Sequence, residues 1–152
     1  MSTLCPLTNE RVLYTACLEC EDRICRDPDG VFALLIAGSR SFDDYERLRD
    51  TADYLLSGQR GRRVLIVEGA ARGADRLAAR YASERGFYHL SFPADWSRGK
   101  RAGYERNRRM HSFIAGFAHR GVLLFWDGTS RGTAQSIDLA REFGSPLRTY
   151  LF

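Results

Sequence analysis

The residues best suited to chemistry in this sequence lie between Asp95 and Met110, in the stretch DWSRGKRAGYERNRRM. It contains six basic side chains, two glycines and two large aromatic residues. Arginine offers a planar, permanently charged set of donors that matches phosphate or carboxylate, and glycine lets backbone approach a ligand closely. We interpret this basic stretch as an anion-binding loop that continues into a helix, although an arginine-rich solvated surface would have the same composition.

Three further segments could bind an anion, at residues 38–40, 69–75 and 127–133. Each follows an apolar run, and the second and third stand where a helix would begin, so backbone N–H groups there favour negative charge. A tight turn, close helix–sheet packing or an N-cap by Ser130 or Thr133 would explain the same residues without a ligand. The expected ligand-binding residues are Gly38, Ser39, Arg40, Gly69, Gly73, Asp75, Gly128, Gly132 and Thr133, with Arg106 and Asn107 from the basic stretch.

Apolar runs and helical patterns alternate from residue 31 onward. Apolar runs predict buried strands at residues 31–37, 63–67 and 121–126, and the pattern adds a shorter strand at 87–92 and a final strand at 146–152. Helices are predicted between them, with Ser41 or Asp43 capping the first and the helix of the basic stretch running from about Gly103 to His119. This alternation predicts an α/β fold with a parallel sheet. Such sheets bind ligands beyond the carboxyl ends of their strands, where all four segments stand.

The four cysteines, Cys5, Cys17, Cys20 and Cys25, all fall within residues 1–30. Cys17 and Cys20 form a CxxC pair, and the other two could complete a tetrahedral zinc site. The segment has too few apolar residues to fold alone, so a metal would supply the missing stability. We therefore predict a small Cys-rich unit with structural zinc, followed by a main domain at 31–152. The alternative is free thiols on a segment packed against that domain.

Several classes are disfavoured by what the sequence lacks. No GxxxxGKS/T or GxGxxG motif occurs, so neither an ATP nor an NAD motif is present. No apolar run is long enough to span a bilayer and no secretory signal is evident, so we predict a cytoplasmic protein without a membrane partner. A net charge of +4 does not by itself indicate nucleic acid, although the cluster at residues 60–63 and the basic stretch leave that partner possible.

Five segments, in this order, resemble the YspA-like, YpsA-related branch of the SLOG superfamily: AGSRSFDD, VEGAARGADRLAARYA, FPADW, GKRAGYERNRRM and WDGTSRGTAQS. They cover about residues 31–152. The resemblance implies a Rossmann-like three-layer fold with a parallel five-stranded sheet, a nucleotide or nucleotide-derived ligand, and pairing into a homodimer. The superfamily includes the Lonely Guy-type phosphoribohydrolases and the DNA-uptake protein DprA.

Whether the chain is an enzyme is left open by its departure from the Lonely Guy pattern. Those enzymes carry an arginine in RKxxM and a glutamate in PGGxGTxxE. Residues 106–110 match the first motif with Asn107 in place of lysine, which implies that Arg106 contacts phosphate or ribose. In the second motif Ser136 stands at the glutamate position, and serine cannot act as the required carboxylate. Possible substitutes, each with a structural alternative as a cap, arginine partner or turn residue, are Glu68, Asp75, Asp95 and Asp127.

The sequence thus predicts a sensor or carrier that binds a nucleotide or nucleotide-derived ligand at the carboxyl rim of a parallel sheet. The first alternative is a hydrolase of nucleotide N-glycosidic or phosphate bonds, whose candidate catalytic residues would be Arg106, Asp127, Glu68 and Asp95. The second alternative is a module that binds single-stranded nucleic acid through the basic stretch and residues 60–63.

Overall fold

Two short strands precede the main sheet in the computed structural model, which describes residues 2–4, 11–13 and 28–152. Strands β1 (Ser2–Leu4) and β2 (Arg11–Leu13) pair antiparallel, with Thr3 opposite Val12. A 3₁₀ turn at Pro28–Gly30 leads into the next strand. The four cysteines lie outside the described residues, so the zinc site stays a prediction.

A parallel sheet forms the centre of the fold. Its strands are β3 (Val31–Gly38), β4 (Arg63–Glu68), β5 (Tyr88–Ser91), β6 (His119–Trp126) and β7 (Leu147–Leu151). The lateral order is β5-β4-β3-β6-β7, and each neighbouring pair is parallel. The predicted α/β fold with a five-stranded parallel sheet is therefore confirmed. The apolar runs in the sequence predicted its central strands because both faces of a parallel sheet are usually covered.

Among residues 28–152, four helices cover the two faces of the sheet: α1 (Tyr45–Leu56), α2 (Ala74–Arg85), α3 (Arg101–Ile114) and α4 (Arg131–Glu142). Along β3, Leu34 and Ile36 pack in one core cluster with residues of α1 and α2. Ala33 and Leu35 belong to a second cluster, which includes residues of α3 and α4. The alternation of side chains along the strand thus separates the two cores, and the three-layer arrangement follows.

Two predicted boundaries were wrong. α3 ends at Ile114 rather than near His119, and His119 begins β6, where it pairs with Phe32 of β3. The guanidinium of Arg120 donates to the carbonyl of Phe117 within the turn and to the carbonyl of Phe143, both at 2.9 Å, so local and tertiary contacts together hold the turn that separates helix from strand. α1 is capped by Asp44, whose carboxylate accepts a hydrogen bond from the N–H of Arg47 at 3.0 Å, and not by either predicted residue.

The strand order reverses beside β3. The chain proceeds from β3 through β4 to β5 on one side, then returns through α3 to β6 on the other side. The carboxyl ends of β3 and β6 meet where Ser39 donates its N–H to the carbonyl of Phe125 at 2.8 Å. The crevice at such a reversal is where open α/β sheets bind ligands. In the described ranges, no helix has the length and apolar character needed to cross a membrane.

Candidate functional site

A pocket of about 510 Å³ opens at the carboxyl ends of β3 and β6, and we call it the switch-point pocket. The loop after β3, the first turns of α3 and the N-terminus of α4 form its walls. Of the predicted ligand-binding residues, those that line it are Gly38, Arg40, Asp75, Arg106, Asn107, Gly132 and Thr133. Segments far apart in sequence therefore meet at the edge of the sheet that the strand pattern indicated.

The remaining predicted ligand-binding residues lie nearby but outside this pocket. Gly69 lines a neighbouring pocket. Ser39 is buried, and its hydroxyl accepts a hydrogen bond from the N–H of Asp127 at 3.1 Å, so it joins the ends of β3 and β6. Gly73 is the N-cap of α2, and Gly128 occupies an exposed turn. Ser39 and Gly73 therefore shape the loops that carry the pocket.

Arg106 is the central residue of the pocket. Its side chain is only 7% exposed. Nε donates to Oδ1 of Asn107 at 2.8 Å, and Nη1 donates to the carbonyl of Gly69. Within residues 28–152, no carboxylate lies within ion-pair distance of Arg106 and none of the residues accepts a hydrogen bond from Nη2. Burial lowers the pKa of Arg106, and the nearby carboxylates of Asp75 and Glu68 oppose this effect through space without a direct ion pair. The guanidinium is thus a buried cation that a directly bound anion would stabilise.

The close approach of the loop after β4 to Arg106 depends on Gly69. A Cβ at this position would lie 2.8 Å from Nη1 of Arg106 and 2.8 Å from Oδ2 of Asp75. Both distances are shorter than van der Waals contact permits. Gly69 therefore lets a guanidinium and a carboxylate reach the same stretch of backbone.

Asp75 supplies the acidic side chain of the pocket and is 4% exposed. Its Oδ2 accepts hydrogen bonds from the N–H groups of Gly69 at 3.2 Å and Ala71 at 3.3 Å. Oδ1 accepts none from the described residues. Burial raises the pKa of Asp75 to about 7, aided by the negative charge of Glu68 and opposed by the positive charge of Arg106. Near neutrality Asp75 can thus either accept or donate a hydrogen bond.

Glu68, a candidate catalytic carboxylate, is buried and fully engaged behind the loop. It accepts hydrogen bonds from the N–H of Ala70 at 2.5 Å and from the hydroxyl of Ser91, and it pairs with Nε2 of His89 at 3.0 Å. Ala70 has a φ of 60°, the left-handed region that costs a residue with a Cβ about 1 kcal/mol. These bonds hold the loop in its strained shape, and Glu68 does not line the switch-point pocket.

Asp95 and Asp127 also serve as local caps. Asp95 accepts hydrogen bonds from the hydroxyl and the N–H of Ser97, which lower its pKa. Asp127 accepts from the N–H groups of Thr129 at 2.9 Å and Ser130 at 2.8 Å, and these bonds lower its pKa. Both side chains are exposed and lie outside the lining of the switch-point pocket. Among the candidate carboxylates, Asp75 is the one that lines it.

The N-terminus of α4 forms the other end of the pocket. Ser130 is its N-cap residue, but the serine side chain makes no capping hydrogen bond. In the described part of the chain, no acceptor is found for the N–H groups of residues 131–133. Thr133 and Ser136 are buried beside these amides and line the pocket. Free first-turn amides with adjacent hydroxyls suit an oxyanion such as phosphate.

Aromatic side chains stand at the mouth of the pocket. Trp96 is 54% exposed and Tyr104 is 42% exposed. The guanidinium of Arg40 lies 5.6 Å from the centre of the Trp96 ring. Trp96 also lies close to Gly103, where a Cβ would come within 3.3 Å of the ring. An exposed aromatic face beside the guanidinium of Arg40 offers a surface on which a planar base could stack.

Several pocket residues were not among the predicted ligand-binding residues: Ala37, Ala71, Trp96, Lys100, Gly103, Tyr104, Ser130 and Ser136. Half of these lie in the basic stretch. Its aromatic residues and glycines were the sequence feature from which they could have been predicted as pocket residues. Ser136, which the motif comparison placed at a glutamate position, does line the pocket.

The basic cluster at residues 60–63 lies away from this pocket. Arg63 begins β4, so the cluster stands at the amino end of the strand, while the pocket lies at the carboxyl ends. Arg62 donates to Oε1 of Gln59 at 3.0 Å and contacts Nε2 of His119 at 3.1 Å. The two basic regions on which the nucleic-acid hypothesis depends therefore lie at opposite ends of the parallel strands.

One turn after Asn107 on α3, His111 is fully buried, and both of its ring nitrogens lack a hydrogen-bond partner among the described residues. Burial lowers its pKa to about 4. The unfolded chain therefore takes up a proton near pH 6.5 while the folded chain does not, and stability is lost as the pH falls from 6.5 towards 4.

For this histidine we expect His111→Leu to remove acid sensitivity. Between pH 7 and pH 5, the free energy of unfolding of the wild type should fall relative to that of the variant by about 2 kcal/mol. Urea unfolding of both proteins at the two pH values measures this difference. If the wild type and the variant differ in unfolding free energy by the same amount at both pH values, the fold does not keep His111 neutral.

Residues 32–99 match the YspA, cpYpsA-related SLOG family. The predicted resemblance to the YspA-like SLOG branch is thereby confirmed, and it supports a nucleotide-related binding or enzymatic function at the level of the family. The matched residues include Gly38, Arg40, Gly69 and Asp75, whereas Arg106 and the N-terminus of α4 lie beyond them. No curated protein and no solved structure matches this chain.

Proposed function

We propose that this SLOG-type chain binds a nucleotide or nucleotide-derived ligand in the switch-point pocket, as a sensor or carrier. The observation that carries the proposal is the state of Arg106, which is buried, forms no direct ion pair with a carboxylate of the described residues and has an unused Nη2. A phosphate group would supply both the missing charge and the missing acceptor.

The arrangement of donors supports one orientation of the ligand. In the proposed complex, the free amides of residues 131–133 and the guanidinium of Arg106 hold the phosphate, since both line the same pocket or its end. Arg40 and Lys100, both exposed, add positive charge at the mouth. The exposed ring of Trp96 offers a stacking surface for the base, and Oδ1 of Asp75 offers an acceptor for a sugar hydroxyl.

Binding is favoured over hydrolysis because most candidate carboxylates are engaged elsewhere. Glu68 and Asp127 accept backbone hydrogen bonds outside the pocket, and Ser136 stands where the related enzymes carry glutamate. Hydrolysis stays a second candidate because Asp75 lines the pocket and one of its oxygens is unused. Release of base or phosphate from ribonucleoside monophosphates, lost in Asp75→Asn, would support that alternative. The homodimer implied by the resemblance also remains a prediction.

Thermal unfolding with the four ribonucleoside 5′-monophosphates tests the proposal. A nucleotide present at 100 times its Kd stabilises the folded state by about 2.7 kcal/mol, which raises the melting temperature by several degrees. Inorganic phosphate at the same ionic strength is the control for non-specific charge. Equal melting temperatures with every nucleotide and with phosphate would refute binding of these nucleotides.

Asp75→Asn should change how stability depends on pH. The folded-state pKa of Asp75 is raised to about 7, so its stabilising contribution is complete below the unfolded pKa near 4 and is lost as the pH rises through 7. Between pH 5 and pH 7 the variant should gain about 2 kcal/mol relative to the wild type. Urea unfolding across this range measures the gain, and parallel curves would show that burial does not hold Asp75 protonated.

A further inference from the structure

A second pocket of about 450 Å³ lies next to the switch-point pocket, on its β4 and β5 side, and we call it the outer pocket. It is bounded by residues 69–72 after β4 and by Pro93 and Ala94 after β5. The two pockets share four lining residues: Arg40, Ala71, Trp96 and Arg106. They therefore adjoin along a common wall at the rim of the sheet.

The common wall is cationic and has unused donors. Arg106 is buried, and its Nη2 has no acceptor in the described part of the chain. Arg40 is exposed and contacts the ring of Trp96, with no carboxylate in ion-pair distance among residues 28–152. Arg72 adds a further positive charge within the outer pocket. The acidic Asp75 lines the switch-point pocket but not the outer pocket.

Two guanidinium groups between two cavities suit an anionic linker that joins two bulkier groups. A pyrophosphate presents several oxygens along its length, which matches a pair of planar donors better than a single phosphate does. Each cavity falls within the usual range for small-molecule sites, about 300–1,000 Å³. A mononucleotide with its base over Trp96 and its phosphate at the start of α4 would leave the outer pocket empty.

We infer that the natural ligand has two parts, an inference that rests on the proposed function. It is a nucleotide whose pyrophosphate carries a second group. The nucleoside occupies the switch-point pocket, and its first phosphate contacts Arg106 and the amides of residues 131–133, as in the proposed function. The second phosphate contacts Arg40, and the second group, such as another nucleoside, enters the outer pocket beside Pro93 and Ala94. This arrangement explains why two of the cations, Arg40 and Arg106, line both cavities.

Isothermal titration calorimetry at fixed ionic strength tests the inference with three probes for each base. These are the ribonucleoside 5′-monophosphate, the 5′-diphosphate and the symmetrical dinucleoside 5′,5′-diphosphate. For at least one base, the dinucleoside diphosphate should bind tenfold or more tightly than the nucleoside diphosphate. The latter carries a pyrophosphate but no second group, so the comparison isolates the outer pocket from charge alone.

Ala94→Trp should fill the outer pocket and abolish this tenfold advantage while the mononucleotide affinity stays within twofold of wild type. Arg72→Ala, at an exposed position of the same pocket, is the second variant and should reduce the advantage without a risk to folding. Equal affinity for the two diphosphates, or an advantage that persists in both variants, would overturn the inference. If mononucleotides still bind, the proposed function survives that result. If none of the probes binds, both fail.

Discussion

Arg106→Ala is expected to weaken nucleotide binding by about 1,000-fold. Truncation of one partner of a buried, hydrogen-bonded charge pair costs about 3–5 kcal/mol, and about 4 kcal/mol corresponds to this factor. Arg106 meets the condition because its side chain is 7% exposed and lies in the wall of both pockets. Titration calorimetry with the nucleotide that gives the largest thermal stabilisation measures the loss.

Arg108→Ala is the matched control on the same helix. Arg108 is exposed and forms an ion pair with Glu142 at 2.9 Å, away from the pocket lining. Its removal changes the net charge by the same amount, so a general electrostatic effect would appear in both variants. We expect nucleotide affinity to change less than threefold in this control. A similar loss in both variants would mean that Arg106 acts only through overall charge.

Arg106→Lys separates charge from geometry and also serves where Arg106→Ala folds poorly. Lysine retains the positive charge but lacks the planar set of donors that bonds Asn107 and Gly69 at the same time. We expect it to recover part of the affinity. Full recovery would show that the ligand requires a cation here but not a bidentate contact.

Gly38→Ala is expected to destabilise the fold by about 3 kcal/mol, since added atoms in a well-packed region cost about 1–3 kcal/mol or more. A Cβ on Gly38 would lie 2.3 Å from the carbonyl oxygen of Phe125 and 3.0 Å from Cβ of Ala74. Both neighbours belong to regular elements, a strand and a helix, so they cannot move cheaply. The change should therefore force β3 and β6 apart at the end that carries the pocket.

Urea unfolding measures this loss, with Gly58→Ala as the control. A Cβ on Gly58 would meet no atom within 4 Å, so stability should stay constant or rise slightly in the control. Nucleotide affinity should also fall in Gly38→Ala, because Gly38 lines the switch-point pocket. Equal stability of the two variants would show that the strand ends are less closely packed than the contact with Phe125 implies.

The strands and the binding edge were predictable because their signals are local. Residues 31–37 are apolar throughout, as expected of a strand covered on both faces, and β3 spans Val31–Gly38. The end of α3 was not predictable in this way. Arg120 holds the turn that follows the helix, since its guanidinium reaches Phe117, Phe143 and Ser145 at 2.8–2.9 Å, and the residue pattern of the helix does not show those contacts.

The site was predictable in composition but not in the role of each residue. Ser39 looked like a ligand contact, yet its hydroxyl bonds to the N–H of Asp127, which is 88 positions away in the chain. Trp96 and Tyr104, the two aromatic residues of the basic stretch, were not among the predicted ligand-binding residues. Their exposure at the pocket depends on where α3 begins and on the close approach that Gly103 allows.

The central claim is that a nucleotide occupies the switch-point pocket, and a ¹H–¹⁵N NMR titration with the most stabilising mononucleotide tests it most directly. The largest shift changes should occur at the amides of residues 131–133, at Arg40 and Ala71, and at the side-chain Nε–H of Arg106. The contrary result is that these signals stay unchanged while shifts concentrate in the groove between α1 and β7, beside Arg47 and Tyr150.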